Sequence, residues 1–98
     1  MRAPPHKPGL SCLSKHFGNA VRQFREERGW SQEMLAEQAD LNRSYVGELE
    51  RGQAIASLIT LEKLASAFGV SLSHLLSHTE RLAQQSNTNT FELTSIAC

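Results

Sequence analysis

Between Asn42 and Gly52 the sequence reads N-R-S-Y-V-G-E-L-E-R-G. At about 100° per residue, burial of Val46 and Leu49 turns Arg43, Ser44, Gly47, Glu48 and Arg51 to the opposite side of a helix. An arginine presents a planar fork of donors, a serine hydroxyl donates or accepts, a glutamate only accepts, and a glycine admits a close neighbour. Such a face suits hydrogen-bonded recognition. Bond-making chemistry has no comparable support: there is no Gly-rich phosphate loop, no H-E-x-x-H and no Ser, His and Asp constellation, so a non-enzymatic protein is expected. His74 and His78 have a spacing that can bind zinc, with Glu80 and the cysteines as further ligands to consider. A metal site needs three or four convergent ligands, and exposed polar histidines are the expected reading, with no metal and no cofactor.

The elements that position the recognition face are short helices. From 15 to 78 apolar residues recur at helical spacing, and glycines fall between the segments as stops. The first helix carries Phe17, Ala20, Val21 and Phe24 inward and ends at Gly29. Ser31 caps a second with Leu35, Ala36 and Ala39 buried, Asn42 caps the third, Ser57 a fourth (Leu58, Leu61, Leu64, Ala65, Phe68 inward), and Ser71 opens a fifth with Leu72, Leu75 and Leu76. The predicted architecture is an all-α, compact five-helix domain over 15–78, with flexible tails at 1–14 and 79–98 and a short strand near 90–96, where Phe91, Leu93 and Ile96 partly alternate. For that last segment an unstructured end is the competing reading.

The chain of 98 residues holds ten basic and ten acidic side chains, so its formal charge of zero gives none of the basic excess common in nucleic-acid binders. Placement must carry any such function. No apolar run is long enough to span a bilayer and the opening residues have no apolar segment behind their cations, which predicts a cytoplasmic protein without a membrane partner. Cys12 and Cys98 have no C-x-x-C spacing and are expected to be reduced thiols.

Helices two and three, joined by a turn of three or four residues, make a helix-turn-helix over 32–51, an arrangement that presents its second helix to the DNA major groove. Ala36 is small where the helices approach, Asp40 sits in the turn and tolerates a left-handed backbone better than most residues, and Leu41, Val46 and Leu49 fasten the pair. The run S-Q-E-M-L-A-E-Q-A-D-L-N-R-S-Y-V-G-E-L-E-R-G, flanked by R-Q-F-R-E-E-R-G-W-S-Q and S-L-I-T-L-E-K-L-A-S-A-F-G-V-S-L-S-H-L-L, resembles the Xre-type helix-turn-helix family of Cro, phage repressors and lambda-repressor-like domains. Its third helix is similar to that of restriction-modification controller proteins.

The resemblance implies double-stranded DNA as the partner and site roles for particular residues. Gln32, at the N-terminus of helix two, would hold a phosphate. Arg43 would read guanine O6 and N7, Ser44 several bases and Glu48 a cytosine amine, with Gly47 and Arg51 on the same face. Tyr45 would touch phosphate, or else pack half-buried on helix two. Arg25 and Glu50 match a salt bridge that orients the recognition helix, the competing reading being two solvated charges. Where relatives carry a basic residue and Asn-Pro after helix three, this chain has Gln53-Ala54-Ile55-Ala56, and acids slightly outnumber bases from Lys15 to Gly69. DNA binding then requires segregation, with Arg22, Arg28, Arg43 and Arg51 turned towards DNA. The expected function is a sequence-specific transcriptional regulator, a repressor acting as a homodimer on a pseudo-palindromic operator, with no small-molecule ligand. Leu72, Leu75 and Leu76 would form the dimer interface unless they finish the core. The competing function is a protein-interaction module, antitoxin-like or a complex subunit, on the same fold.

Overall fold

Each helix starts and stops where a local hydrogen-bonding group is at hand. The computed structural model describes residues 12–86, which form α1 (Cys12–Glu27), α2 (Gln32–Ala39), α3 (Arg43–Glu50), α4 (Leu58–Phe68) and α5 (Leu72–Ser86). In α1, Phe17, Ala20, Val21 and Phe24 are buried at the spacing of one helical face. Ser31 Oγ accepts the Met34 N–H at 3.1 Å, Asn42 Oδ1 that of Ser44 at 2.8 Å, Ser57 Oγ that of Thr60 at 3.1 Å and Ser71 Oγ that of His74 at 3.0 Å. These caps satisfy amides that the first turn of a helix leaves without partners.

The turn between α2 and α3 closes through Asp40, whose φ of 57° and ψ of 51° lie in the left-handed region. The Asp40 N–H donates to Glu37 O at 3.3 Å and the Leu41 N–H to Ala36 O at 2.8 Å, a paired closure usually built on glycine. Asp40→Gly is accordingly expected to raise stability by about 0.5 kcal/mol, the relief of the backbone outweighing the greater freedom of the unfolded chain. Thermal or denaturant unfolding of the two proteins side by side measures it.

Helix α1 packs against α5, α3 and α4, while α2 packs against α3 and α4. Leu35, Leu49, Leu64, Leu75, Val21 and Val46 are wholly buried between them. At one end of this core Phe24 stacks on Phe68 with centroids 5.2 Å apart, and Trp30 on Phe68 at 6.2 Å. Arg28 covers both phenylalanine rings and donates to Phe24 O at 2.8 Å and Phe68 O at 2.6 Å, closing the C-terminal turns of α1 and α4 with one cation.

The structure corrects several expectations. Helix α1 begins three residues before 15 and α5 continues eight residues past His78, into a stretch read as tail. Thr79 is buried with its hydroxyl on Leu75 O at 3.1 Å, and Leu82 and Ala83 are half-buried, so these turns have a surface to pack on. Leu75 is wholly buried and belongs to the core rather than to a dimer interface, because α5 lies along α1; Leu72 is half-buried and Leu76 exposed. Leu58, expected inward, is 75% exposed at the first position of α4. Cys12 is disulfide-bonded, not a reduced thiol. The strand expected near 90–96 and Cys98 lie outside the described residues. Among the described residues no helix is long and apolar enough to cross a membrane.

His74 and His78 both meet the Phe24 ring edge-on, at 5.8 and 5.3 Å, and His78 Nε2 lies 2.7 Å from Gln23 Oε1. They pack α5 onto α1. No group of three potential metal ligands occurs among the described residues.

Candidate nucleic-acid interface

Helix α3 buries Val46, Gly47, Leu49 and Glu50 and leaves Arg43, Ser44, Glu48 and Arg51 exposed. Four of the five residues expected on the recognition face are therefore open to a partner. Gly47 is not: a methyl group built on it would lie 3.2 Å from Arg51 Nη1 and 3.5 Å from Gln32 Oε1. With no side chain at 47, its two neighbours close over the backbone and bury it.

The orientation of α3 is fixed from behind by a polar cluster. Arg25 of α1 donates Nε to Glu50 Oε2 at 2.7 Å and Nη2 to Glu50 Oε1 at 3.0 Å, a bidentate pair with side chains only 13% and 4% exposed. The third guanidinium nitrogen, Nη1, donates to Trp30 O at 2.8 Å. Gln32 completes the cluster through Nε2, which donates to Glu50 Oε1 at 2.9 Å. The hydrogen bonds that Arg25 donates to Glu50 raise its pKa above the ordinary value; burial opposes this, and the negative charges of Glu50 and Glu26 add to it. Helices α1, α2 and α3 meet at this one carboxylate.

Gln32 was expected to hold a phosphate. Its carboxamide is already engaged with Glu50, which fixes its plane and leaves its second N–H as the group available to an anion. Tyr45 is half-buried, and its hydroxyl donates to Ile55 O at 3.0 Å and lies 3.5 Å from Thr60 Oγ1, so it ties α3 to the loop before α4 rather than packing freely on α2. A phosphate could take this hydroxyl only by displacing Ile55.

The cations segregate less than expected. Arg28 is spent on the carbonyls of α1 and α4, and Arg22 pairs with Glu26 at 3.2 Å beside α5. That leaves Arg43 and Arg51 as the basic residues of the α3 face.

Two further glycines position the interface. A methyl group on Gly18 would meet Leu49 O at 2.3 Å and Glu50 O at 2.7 Å, and one on Gly52, whose φ is +73°, would meet Lys15 Cα at 2.9 Å. The C-terminal end of α3 thus rests directly on the backbone of α1. The available signal for Gly18 was a glycine in mid-helix, which costs about 1 kcal/mol relative to alanine and needs a packing reason.

The helix-turn-helix family model matches residues 21–75. Control protein C.MunI of Mycoplasma sp. is 41% identical over 73 residues, which are 74% of this chain and 99% of that protein. Among solved structures, the restriction-modification controller protein C.AhdI from Aeromonas hydrophila superposes with a TM-score of 0.62 at 44% identity, over 63% of this chain and 94% of that one. The controller protein C.Esp1396I, crystallised as a tetramer with its natural 35 base-pair operator, gives a TM-score of 0.68 at 25% identity, over 74% of this chain and 95% of that one.

Proposed function

We propose, because this chain belongs to the helix-turn-helix family, that it is a sequence-specific DNA-binding transcriptional regulator of the restriction-modification controller type, a repressor that acts as a dimer on a pseudo-palindromic operator. The observation that carries this reading is the exposed Arg43, Ser44, Glu48 and Arg51 face of a helix held from behind by the Arg25, Glu50 and Gln32 cluster. A reading helix must hold its angle in the major groove, and a bidentate buried ion pair supplies direction that apolar packing alone does not. Recognition rather than catalysis is its role, and the cytoplasm its place of action.

An apolar face supports the dimer. Leu13, Ile55 and Leu76, each exposed, border a cleft of about 320 Å³ floored by Phe17 and Leu61, and Leu58 and Ile59 follow on exposed turns of α4. A second copy covers this face, and two-fold symmetry then sets two α3 helices roughly 34 Å apart, one turn of DNA.

Selection of binding sites from a random duplex library at about 150 mM salt tests the reading, since specific affinity should exceed non-specific affinity by roughly 1,000-fold. A two-fold-symmetric motif is the expected product; a folded protein that enriches nothing refutes it. In the same experiment Arg43→Ala is expected to lose about 1.5 kcal/mol and to blur one base pair of each half-site, whereas Gln32→Ala weakens binding to all duplexes alike. Equal losses on operator and random DNA for Arg43→Ala would refute its role as a reader, and a loss confined to operator for Gln32→Ala would refute its role as an anchor.

A further inference from the structure

We infer that Gln53 and Gly47 together position Arg51 as an end-on reader of a guanine, making Gln53 a specificity-determining residue without contact to the base. This rests on the DNA-binding reading above and adds to it the chemistry of one position. Three observations bear on it. Arg51 Nε donates to Gln53 Oε1 at 3.0 Å. Arg51 Nη1 lies 3.2 Å from where a methyl group on Gly47 would sit, close enough that an added side chain would press on it. Gln32 Oε1 stands 3.5 Å from that same site, and the other end of its carboxamide is held by Glu50.

A guanidinium can meet the O6 and N7 of guanine either side-on, through Nε and one terminal nitrogen, or end-on, through its two terminal nitrogens. With Nε taken by Gln53, the end-on edge is the one left to a base. Gly47 allows the guanidinium of Arg51 to lie against α3 instead of extending freely from its last turn, so fewer rotamers compete with the reading geometry. The same notch explains why the helix carries a glycine at 47, between residues that are better helix formers. Residue 47 reads nothing itself; the guanidinium of Arg51 rests beside it.

The test is site selection with wild type, Arg51→Ala, Gln53→Ala and Gly47→Ala, together with affinity for a random duplex and thermal unfolding of each protein. Arg51→Ala is expected to lose about tenfold in preference for guanine at one position of each half-site. Gln53→Ala blurs the same position by about threefold, the loss of one exposed hydrogen bond, while its affinity for random duplex and its unfolding stay at the wild-type level. Gly47→Ala displaces the guanidinium and blurs that position too, yet raises thermal stability, because alanine is the better helix former. A merely structural role for residue 47 would not separate the two readouts in this way. If Gln53→Ala leaves every position of the motif unchanged, Gln53 positions nothing, and if Arg51→Ala weakens operator and random DNA equally, Arg51 is a phosphate anchor; either result overturns the inference while the regulator reading stands. If wild type itself selects no motif, the regulator reading fails first.

Discussion

Glu50→Ala is expected to lower the stability of the domain by about 3 kcal/mol, the cost of leaving a buried cation without its counter-ion. In a domain of this size that moves the thermal midpoint by on the order of 15 °C. The carboxylate is 4% exposed on its side chain and accepts from Arg25 twice and from Gln32 once, so its removal strands three donors at once. Arg25 keeps its bond to Trp30 O, which places the loss at the lower end of the usual range for a broken buried pair. A second variant separates stability from orientation. Arg25→Met combined with Glu50→Leu replaces the pair by apolar groups of similar bulk, and such replacements often restore or exceed the original stability. The double variant is therefore expected to unfold near the wild-type temperature and still to bind operator more weakly, since nothing directional then ties α3 to α1. Calorimetry and operator titration of both variants decide the matter. A loss under about 1 kcal/mol for Glu50→Ala would mean that the pair behaves as a solvated one, and full operator affinity in the double variant would mean that packing alone sets the angle of α3.

The parts of this molecule that were legible in the sequence are those decided within a few residues. Ser31, Asn42, Ser57 and Ser71 cap helices because a short side-chain oxygen can reach an amide two or three residues ahead, and Asp40 closes its turn because its neighbours Ala36 and Glu37 offer carbonyls at the right distance. The five-helix order follows from these stops and from the apolar spacing. What the sequence hid depends on partners far along the chain. Arg28 has the composition of a DNA-facing cation, yet it bonds to Phe68 O, forty residues away, because α4 ends beside α1. Leu75 and Leu76 look alike in one dimension; the angle at which α5 meets α1 buries the first and exposes the second. Helix α5 outran its expected end because Gln84 and Gln85 are polar, although a helix needs only one buried face and Thr79 and Leu82 provide it. The Arg25 and Glu50 juxtaposition came from family resemblance, since no rule of local spacing joins residues 25 apart. Even that resemblance gave no warning that Gly47 would be covered by Gln32 and Arg51.

Gly18→Ala brings two opposed effects into one substitution, and their sizes decide its sign. Alanine is favoured over glycine in a helix interior by about 1 kcal/mol, and Gly18 lies well inside α1. Against this, the new methyl group would sit 2.3 Å from Leu49 O, 2.7 Å from Glu50 O and 2.9 Å from Glu50 C. All three atoms are backbone at the end of α3, so relief requires a movement of the helix itself and not the swing of a side chain. Overpacking that shifts side chains and backbone typically costs about 1–3 kcal/mol and occasionally more, and here the last turn of a helix must move; a net loss of about 3 kcal/mol is expected after the gain in propensity. The displacement also strains the Arg25 and Glu50 bond, whose two distances leave no slack at 2.7 and 3.0 Å. Gly29→Ala is the matched control. Nothing lies within 4 Å of its added carbon, and only its positive φ of 70° opposes the change, so about 1 kcal/mol is lost and operator affinity stays intact. Denaturant unfolding and operator titration of the two variants should diverge in both readouts. Equal, small losses would show that α1 and α3 slide past each other freely, and that the glycine contact does not set the position of the α3 face.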